Sequence, residues 1–369
     1  MKADRPVRVL VVDDSAVARD LIARGLSTSG GIEVVGKASD AWSARDKIVF
    51  QSPDVVTLDV QMPGMDGIEF LRRLIPQYPL PVVVVSSVTG EGSARAMEAL
   101  AAGAVAVVPK PSSNDAAGLA GMISELADAI REASLADVTK AAPSASRGIG
   151  GGIERRTAGA STRPAFPDGE RGIIAIGAST GGTNALAEII PLFPPDMPGT
   201  VIVQHMPPVF TRLFAESLNR SSRVEVREAR DGDVVRRGLV LVAPGDFHLR
   251  VATAGDSWKA SLSGGEKVNG HRPSVDVLFE SVARAAGESA VGVLLTGMGK
   301  DGAAGLLSMR KAGARCLAQD EETSVVFGMP KEAWKIGAAE RLVAAGDMAR
   351  AVVSCLSRAK AAAGAGKEA

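Results

Sequence analysis

Short, nearly continuous runs of Val, Ile and Leu recur along the chain, each followed by a stretch in which apolar residues return every three or four positions. Residues 7–12, 32–35, 55–58, 81–85 and 104–108 make one series; residues 173–176, 200–203, 239–242 and 291–295 make a second. A run this short has no polar face to offer water, so it predicts a strand buried on both sides, and the helical stretches between predict its cover. Two α/β units are expected, the first with a five-stranded parallel sheet and the second doubly wound. In such sheets ligands gather at the carboxyl ends of the strands.

Between the two series the composition turns to Ala, Ser, Gly, Pro, Arg and Thr without apolar period, and includes Gly148-Ile149-Gly150-Gly151-Gly152. Such a segment cannot bury enough surface to offset the entropy lost on ordering it. The expected division is a first domain over 1–133, a flexible linker over 134–171, a second domain over 172–357 and a flexible tail over 358–369, rich in Ala, Gly and Lys. A length of 369 residues by itself calls for more than one core.

Charge excludes some functions. Lys and Arg (42) balance Asp and Glu (42), so the chain has no broad basic field for nucleic acid, and no output segment carries a recognition-helix pattern. No apolar run approaches the roughly 18 residues that cross a bilayer, so no membrane insertion is expected. Cys316 and Cys355 have no C-x-x-C spacing, and the amino terminus does not read as a signal peptide. Together these predict a reducing, cytoplasmic setting.

In the first series the strands run into chemistry. The first leads to Asp13-Asp14, the third to Asp59, the fourth to Ser86-Ser87, and the fifth through Pro109 to Lys110. A parallel sheet brings these ends to one crevice. Three carboxylates there repel one another unless a cation lies among them, and hard oxygen ligands in that number suit Mg²⁺. A lysine and a hydroxyl on the same rim are placed to hold the oxygens of a phosphoryl group carried by an aspartate. With these residues and Leu58-Asp59-Val60-Gln61-Met62-Pro63-Gly64-Met65-Asp66-Gly67, residues 7 to about 125 resemble a response-regulator receiver domain. The resemblance implies a flavodoxin-like sheet in which Asp59 takes a phosphoryl group from a histidine kinase. By the same resemblance Asp13 and Asp14, with Asp59, bind Mg²⁺, while Ser86 and Lys110 contact the phosphoryl oxygens. Val107 stands three residues before the lysine, where the family often has a switch aromatic. The phosphoryl chemistry is untouched by that departure; the usual aromatic rotamer switch lacks its residue.

In the second series, residues 173–176 lead into Gly177-Ala178-Ser179-Thr180-Gly181-Gly182, and Leu186, Ile189, Ile190 and Phe193 then mark a helix. Ser179 thus sits at a strand-to-helix elbow, beside free backbone N–H groups and the positive end of a helix dipole. The elbow by itself leaves four readings open. Ser179 is a nucleophile, a helix N-cap, part of a phosphate-cradling loop of the G-x-G-x-x-G kind, or a residue of a tight turn with no ligand. A dinucleotide site calls for an acidic residue ending the second strand, where this chain has Gln204-His205. His205 and Asp301 each come just after a predicted strand, as Ser179 does, so a parallel sheet sets all three on one rim. Nucleophilic acyl transfer needs that set. His248 and His271 lie in polar, loop-like sequence, which leaves His205 as the base, and the scattered His and Cys residues show no metal-ligand spacing.

Gly177-Ala178-Ser179-Thr180-Gly181-Gly182, Gln204-His205-Met206-Pro207, Ala243-Pro244-Gly245, Leu295-Thr296-Gly297-Met298-Gly299-Lys300-Asp301-Gly302 and Val326-Phe327-Gly328-Met329-Pro330 resemble the catalytic domain of the chemotaxis protein-glutamate methylesterases. The likeness spans nearly the whole chain, receiver included. It implies that Ser179 is the nucleophile, His205 the general base and Asp301 its orienter, with the loop around Met298 in the oxyanion environment. The N–H of Thr180, next after the nucleophile, is a second candidate donor. The implied reaction is hydrolysis of glutamate γ-methyl esters on cytoplasmic helices of chemoreceptors, with deamidation of specific receptor glutamines by the same route and no cofactor in this domain. Regulation is implied too: the unphosphorylated receiver covers the crevice, and phosphorylation of Asp59 shifts the population toward an open arrangement.

Overall fold

The computed structural model describes residues 5–62, 65–111, 116–140 and 172–365. The first unit runs β1 (Val7–Val12), α1 (Ala16–Thr28), β2 (Ile32–Ala38), α2 (Ala41–Gln51), β3 (Val55–Leu58), α3 (Gly67–Gln77), β4 (Val82–Ser86), α4 (Gly90–Ala101), β5 (Ala106–Pro109) and α5 (Ala116–Ala133). Its sheet has the order β2-β1-β3-β4-β5 with every pair parallel. Alternate strand residues feed opposite cores: Leu10 and Val12 pack under α2 and α3, whereas Val9 and Val11 pack under α1 and α5. That two-sided burial is why the strands read as unbroken Val/Leu/Ile.

The second unit comprises β6 (Ile173–Ala178), α6 (Gly182–Ile189), β7 (Gly199–Gln204), α7 (Phe210–Ser221), β8 (Glu225–Glu228), β9 (Val234–Val235), β10 (Leu239–Val242), β11 (His248–Ala254), β12 (Ser257–Ser263) and α8 (Val275–Ala286). It continues through β13 (Ala290–Leu294), α9 (Ala303–Lys311), β14 (Arg315–Gln319), α10 (Met329–Lys335), β15 (Arg341–Val343) and α11 (Ala345–Ala365). Seven strands form one sheet, β15-β14-β13-β6-β7-β10-β8, all of whose pairs are parallel. Successive connections leave β6 in opposite directions, so β6 and β13 flank the switch point where such sheets open a crevice. A smaller antiparallel sheet, β11-β12-β9, stands beside it. Neither β11 nor β12 is an unbroken apolar run: Leu249, Val251, Trp258 and Ala260 face the core and alternate with Arg250 and Lys259, so the pattern of strands buried on both faces passes over them.

Two expected boundaries shift. Residues 134–140, assigned to the linker, are held by the second unit: Val138 is buried, the Asp137 N–H donates to the Val325 carbonyl at 2.8 Å, and Lys140 Nζ donates to the Glu321 carbonyl at 2.8 Å. Ordering is driven there by one apolar side chain and its backbone partners, which a compositional average conceals. The rest of the expected linker, 141–171, lies outside the described residues. The tail expected to be flexible from 358 is helical to Ala365, because its alanines simply prolong α11; residues 366–369 lie outside the described residues.

The two units share buried surface. A single apolar cluster spans Ala96 and Val107 of the first and Ala185, Met206 and Phe210 of the second, and a second one joins Val325 and Val326 to the core beneath α5. Among the described residues, no helix is long and apolar enough to cross a membrane.

Candidate active site

β6 is buried along its whole length, with Ile174 and Ile176 on one core and Ile173 and Ala175 on the other. It ends abruptly because Gly181 has φ +78° and caps α6. A side chain there would place its Cβ 2.5 Å from Val325 Cβ. The elbow is then stitched to its neighbours. The Ser179 N–H donates to the Thr296 carbonyl at 3.0 Å, Thr296 Oγ1 donates to the Thr180 carbonyl at 3.0 Å, and Gln204 Nε2 donates to the Ser179 carbonyl at 2.9 Å. The Ser179 carbonyl accepts from the Gly182 N–H at 2.7 Å, but among the described residues its hydroxyl bonds to no helix N–H, and Gly181 is the cap residue. The N-cap reading therefore fails on geometry.

β7 delivers His205 and the loop after β13 delivers Asp301. His205 Nδ1 is 3.1 Å from Ser179 Oγ, and His205 Nε2 is 2.9 Å from Asp301 Oδ2. Asp301 is buried to 1% exposure and accepts four further hydrogen bonds. The Val275 N–H reaches Oδ2 at 2.7 Å; Ser274 Oγ, Asn269 Nδ2 and the Asp276 N–H reach Oδ1 at 2.8, 2.8 and 3.2 Å. Three of these donors belong to the amino-terminal turn of α8, whose dipole also favours a negative charge. Burial works against ionisation of Asp301, but the hydrogen bonds and charge of His205, with the bonds from Asn269 and Val275, hold its carboxyl well below the usual carboxylate range. An ionised Asp301 can only accept, so the His205 proton sits on Nε2 and the Nδ1 lone pair faces the Ser179 hydroxyl.

Four residues that sequence reasoning did not assign to the site shape it. Asn269, in a left-handed conformation at φ 53°, bridges Asp301 and Asp276, the latter at 2.7 Å. Ser274 caps α8 and turns its hydroxyl to Asp301. His271 stacks on His205 with ring centroids 3.8 Å apart and planes 11° from parallel. Burial, then the neighbouring His205, push the His271 pKa down to about 4, so its ring is neutral near pH 7. Glu132, from α5 of the first unit, accepts a hydrogen bond from Thr180 Oγ1 at 2.9 Å. Burial raises its pKa despite the Thr180 bond and the attraction of His205. Asn-Gly before His271 was a usable turn signal; nothing in sequence spacing could have brought Glu132 here.

Among the described residues, no hydrogen bond takes up the backbone N–H of Thr180 or of Met298. The loop carrying Met298 lies against the elbow, since a Cβ on Gly297 would fall 2.7 Å from Ser179 Cβ. A cavity of about 470 Å³ opens between the two units, lined on one side by Ser179, Thr180, His205 and His271 and on the other by Val107 and Glu132.

In the first unit, Asp13, Asp14 and Asp59 bring carboxylate oxygens within 4.8 Å of one another. Lys110 Nζ donates to Asp59 Oδ2 at 2.6 Å and to Asp13 Oδ2 at 3.0 Å. Burial opposes the charge on Lys110, but the hydrogen bonds and charges of Asp59 and Asp13 raise its pKa; burial raises that of Asp13. Ser86 ends β4. Its buried hydroxyl donates to the Gly92 carbonyl in the first turn of α4 at 2.9 Å.

Two family models match the chain, a response regulator receiver domain over residues 9–119 and CheB methylesterase over residues 174–352. A protein-glutamate methylesterase/protein-glutamine glutaminase of Syntrophotalea carbinolica is 52% identical over 355 residues, 96% of this chain and 98% of the relative. The chain belongs to the CheB methylesterase family. A protein of the same description from Sulfurimonas denitrificans is 48% identical over 361 residues, covering 96% and 99% of the two chains. The CheB methylesterase catalytic domain of Thermotoga maritima, known from a crystal structure, aligns at 39% identity with a TM-score of 0.49, covering 50% of this chain and 98% of that one. As a CheB methylesterase the chain carries both family parts in order, receiver first. The cavity between them is bordered on both sides by residues of those parts.

Proposed function

We propose that this chain is a phosphorylation-gated serine hydrolase acting on glutamate γ-methyl esters of cytoplasmic chemoreceptor helices, and on specific receptor glutamines. Ser179 Oγ attacks the ester carbonyl while His205 Nδ1 takes its proton; Asp301, held ionised, fixes the ring and stabilises the imidazolium. The carbonyl oxygen becomes an oxyanion beside the N–H groups of Thr180 and Met298. His205 returns the proton to the departing methoxide, methanol leaves, and a γ-glutamyl ester of Ser179 remains. Water, deprotonated by the same Nδ1, attacks that ester and releases the glutamate carboxylate and the serine hydroxyl. A glutamine loses ammonia in the first step and shares the second. His271, kept neutral, covers the His205 ring without adding a second positive charge during turnover.

In the receiver, Asp59 accepts the phosphoryl group from a chemotaxis histidine kinase, and Lys110 pairs with the oxygens. Asp13, Asp14 and Asp59 are the residues that would hold Mg²⁺: three hard oxygen donors converge where like charges otherwise repel. When bound, the ion neutralises charge on the phosphoryl oxygens. Ser86 must leave the Gly92 carbonyl to reach them, and because Gly92 lies in α4, which packs on α6 and α7, that movement bears on the contact between the two units. A cytoplasmic setting goes with this reading, since the proposed substrate helices are the cytoplasmic ones.

The observation that carries the reading is the continuous hydrogen-bonded line from Ser179 through His205 to Asp301. Methanol release from methylated receptor membranes tests it. Ser179→Ala and His205→Gln should each lower the rate at least ~10³-fold; full release in either variant would mean that the hydrolysis does not run through this line of residues.

A further inference from the structure

Glu132 is a carboxylate on a helix, and it reaches the residue beside the nucleophile. Its Oε2 accepts from Thr180 Oγ1 at 2.9 Å, and the same cavity holds Ser179 and His205. The hydrolysis proposed for this site has a glutamate side chain as its product, presented from a helix. A helix that serves only as a steric cover has no need of a carboxylate at that point, where burial disfavours its charge. The rest of the α5 face is acidic as well. Glu125, Asp128 and Glu132 stand at i, i+3 and i+7, so they share one side, with Glu125 about 10 Å along the axis from Glu132. Lys267, across the cavity, attracts the Glu125 carboxylate.

We propose that α5 occupies the catalytic groove as a stand-in for the substrate helix, with Glu132 in the place of the glutamate product, and that Lys267 selects helices bearing an acidic side chain seven residues before the target. The inference rests on the hydrolase reading and deepens it, because it names the kind of helix the groove fits. The receiver then inhibits by competition as well as by cover. Thr180, whose hydroxyl holds the Glu132 carboxylate, holds the substrate carbonyl side in the same way when α5 withdraws.

The test uses the full chain, activated with a small phosphodonor and Mg²⁺. The probe is a peptide of residues 116–134, kept helical by a side-chain lactam on the face away from Glu125 and Glu132, with Glu132 as its γ-methyl ester. Methanol release that Ser179→Ala abolishes and that Lys267→Glu slows roughly fivefold in kcat/KM is expected. The free-acid peptide should compete with methylated receptor membranes, raising KM and leaving kcat. An enzyme that cleaves receptor esters but neither cleaves the peptide ester nor feels the free acid would overturn the proposal and leave the hydrolase reading standing; failure on receptor esters too would remove both. Independently, Glu132→Ala in the unphosphorylated chain should raise basal release roughly tenfold, as expected when a hydrogen bond to a charged group is lost. Unchanged basal release would also refute it.

Discussion

Replacing His271 by glutamine should change how stability depends on pH, in a direction the structure fixes. The ring is stacked on His205 and largely shielded from water, and its pKa falls from 6.5 to about 4. The unfolded chain therefore binds a proton in a window where the folded chain does not. Stability is complete above about pH 6.5 and is lost as the pH falls toward 4, levelling off below. At pH 5 the unfolded ring is almost wholly protonated and the folded ring about one-tenth so, which amounts to about 2 kcal/mol lost relative to pH 7.5, as an upper figure for a partly exposed ring. Glutamine keeps some of the planar contact and cannot titrate. Urea unfolding followed by tryptophan fluorescence at pH 7.5 and pH 5 should show the wild type losing about 2 kcal/mol more than His271→Gln between the two conditions. Equal losses in the two proteins would mean that the ring is as free to protonate when folded as when unfolded, and the argument that it stays neutral beside His205 would fail.

The same contacts carry other consequences. Asn269→Gly keeps the left-handed backbone at φ 53° but removes the amide shared by Asp301 and Asp276. Denaturation should show a loss of about 2 kcal/mol at most, since Asn269 is itself exposed, and steady-state kinetics a roughly tenfold fall in kcat with KM held. Gly181→Ala forces a Cβ toward Val325 at a positive φ, and should cost at least ~2 kcal/mol by denaturation while abolishing esterase activity.

The architecture was legible because strands buried on both faces leave unbroken apolar runs. All five predicted strands of the first unit form, with ends displaced by a few residues at most, and β10 falls on the predicted residues. The line from Ser179 to Asp301 was legible for a related reason: each residue comes after a strand, and β13, β6 and β7 are neighbours. What escaped was polar and tertiary. The β11–β12 hairpin alternates buried Leu249, Val251, Trp258 and Ala260 with Arg250 and Lys259, a two-residue period that unbroken apolar runs do not reveal. Asn269, Ser274 and His271 act through a loop and a helix terminus whose approach to Asp301 depends on α8 packing beneath β6, where Gly177 meets Val275. The bond from the Ser86 hydroxyl to the Gly92 carbonyl is a contact that the receiver motif does not announce. Residues 134–140 were grouped with the linker because their composition resembles that of residues 141–171, although Val138 is 2% exposed.

The central claim is that one serine does the chemistry and one aspartate in the other unit governs access to it. Methanol release from methylated receptor membranes, with and without a small phosphodonor and Mg²⁺, tests both parts in the wild type, Ser179→Ala and Asp59→Ala. The account predicts stimulated release in the wild type, none in Ser179→Ala under either condition, and basal release without stimulation in Asp59→Ala. Release that persists without Ser179, or stimulation that survives the loss of Asp59, would contradict it.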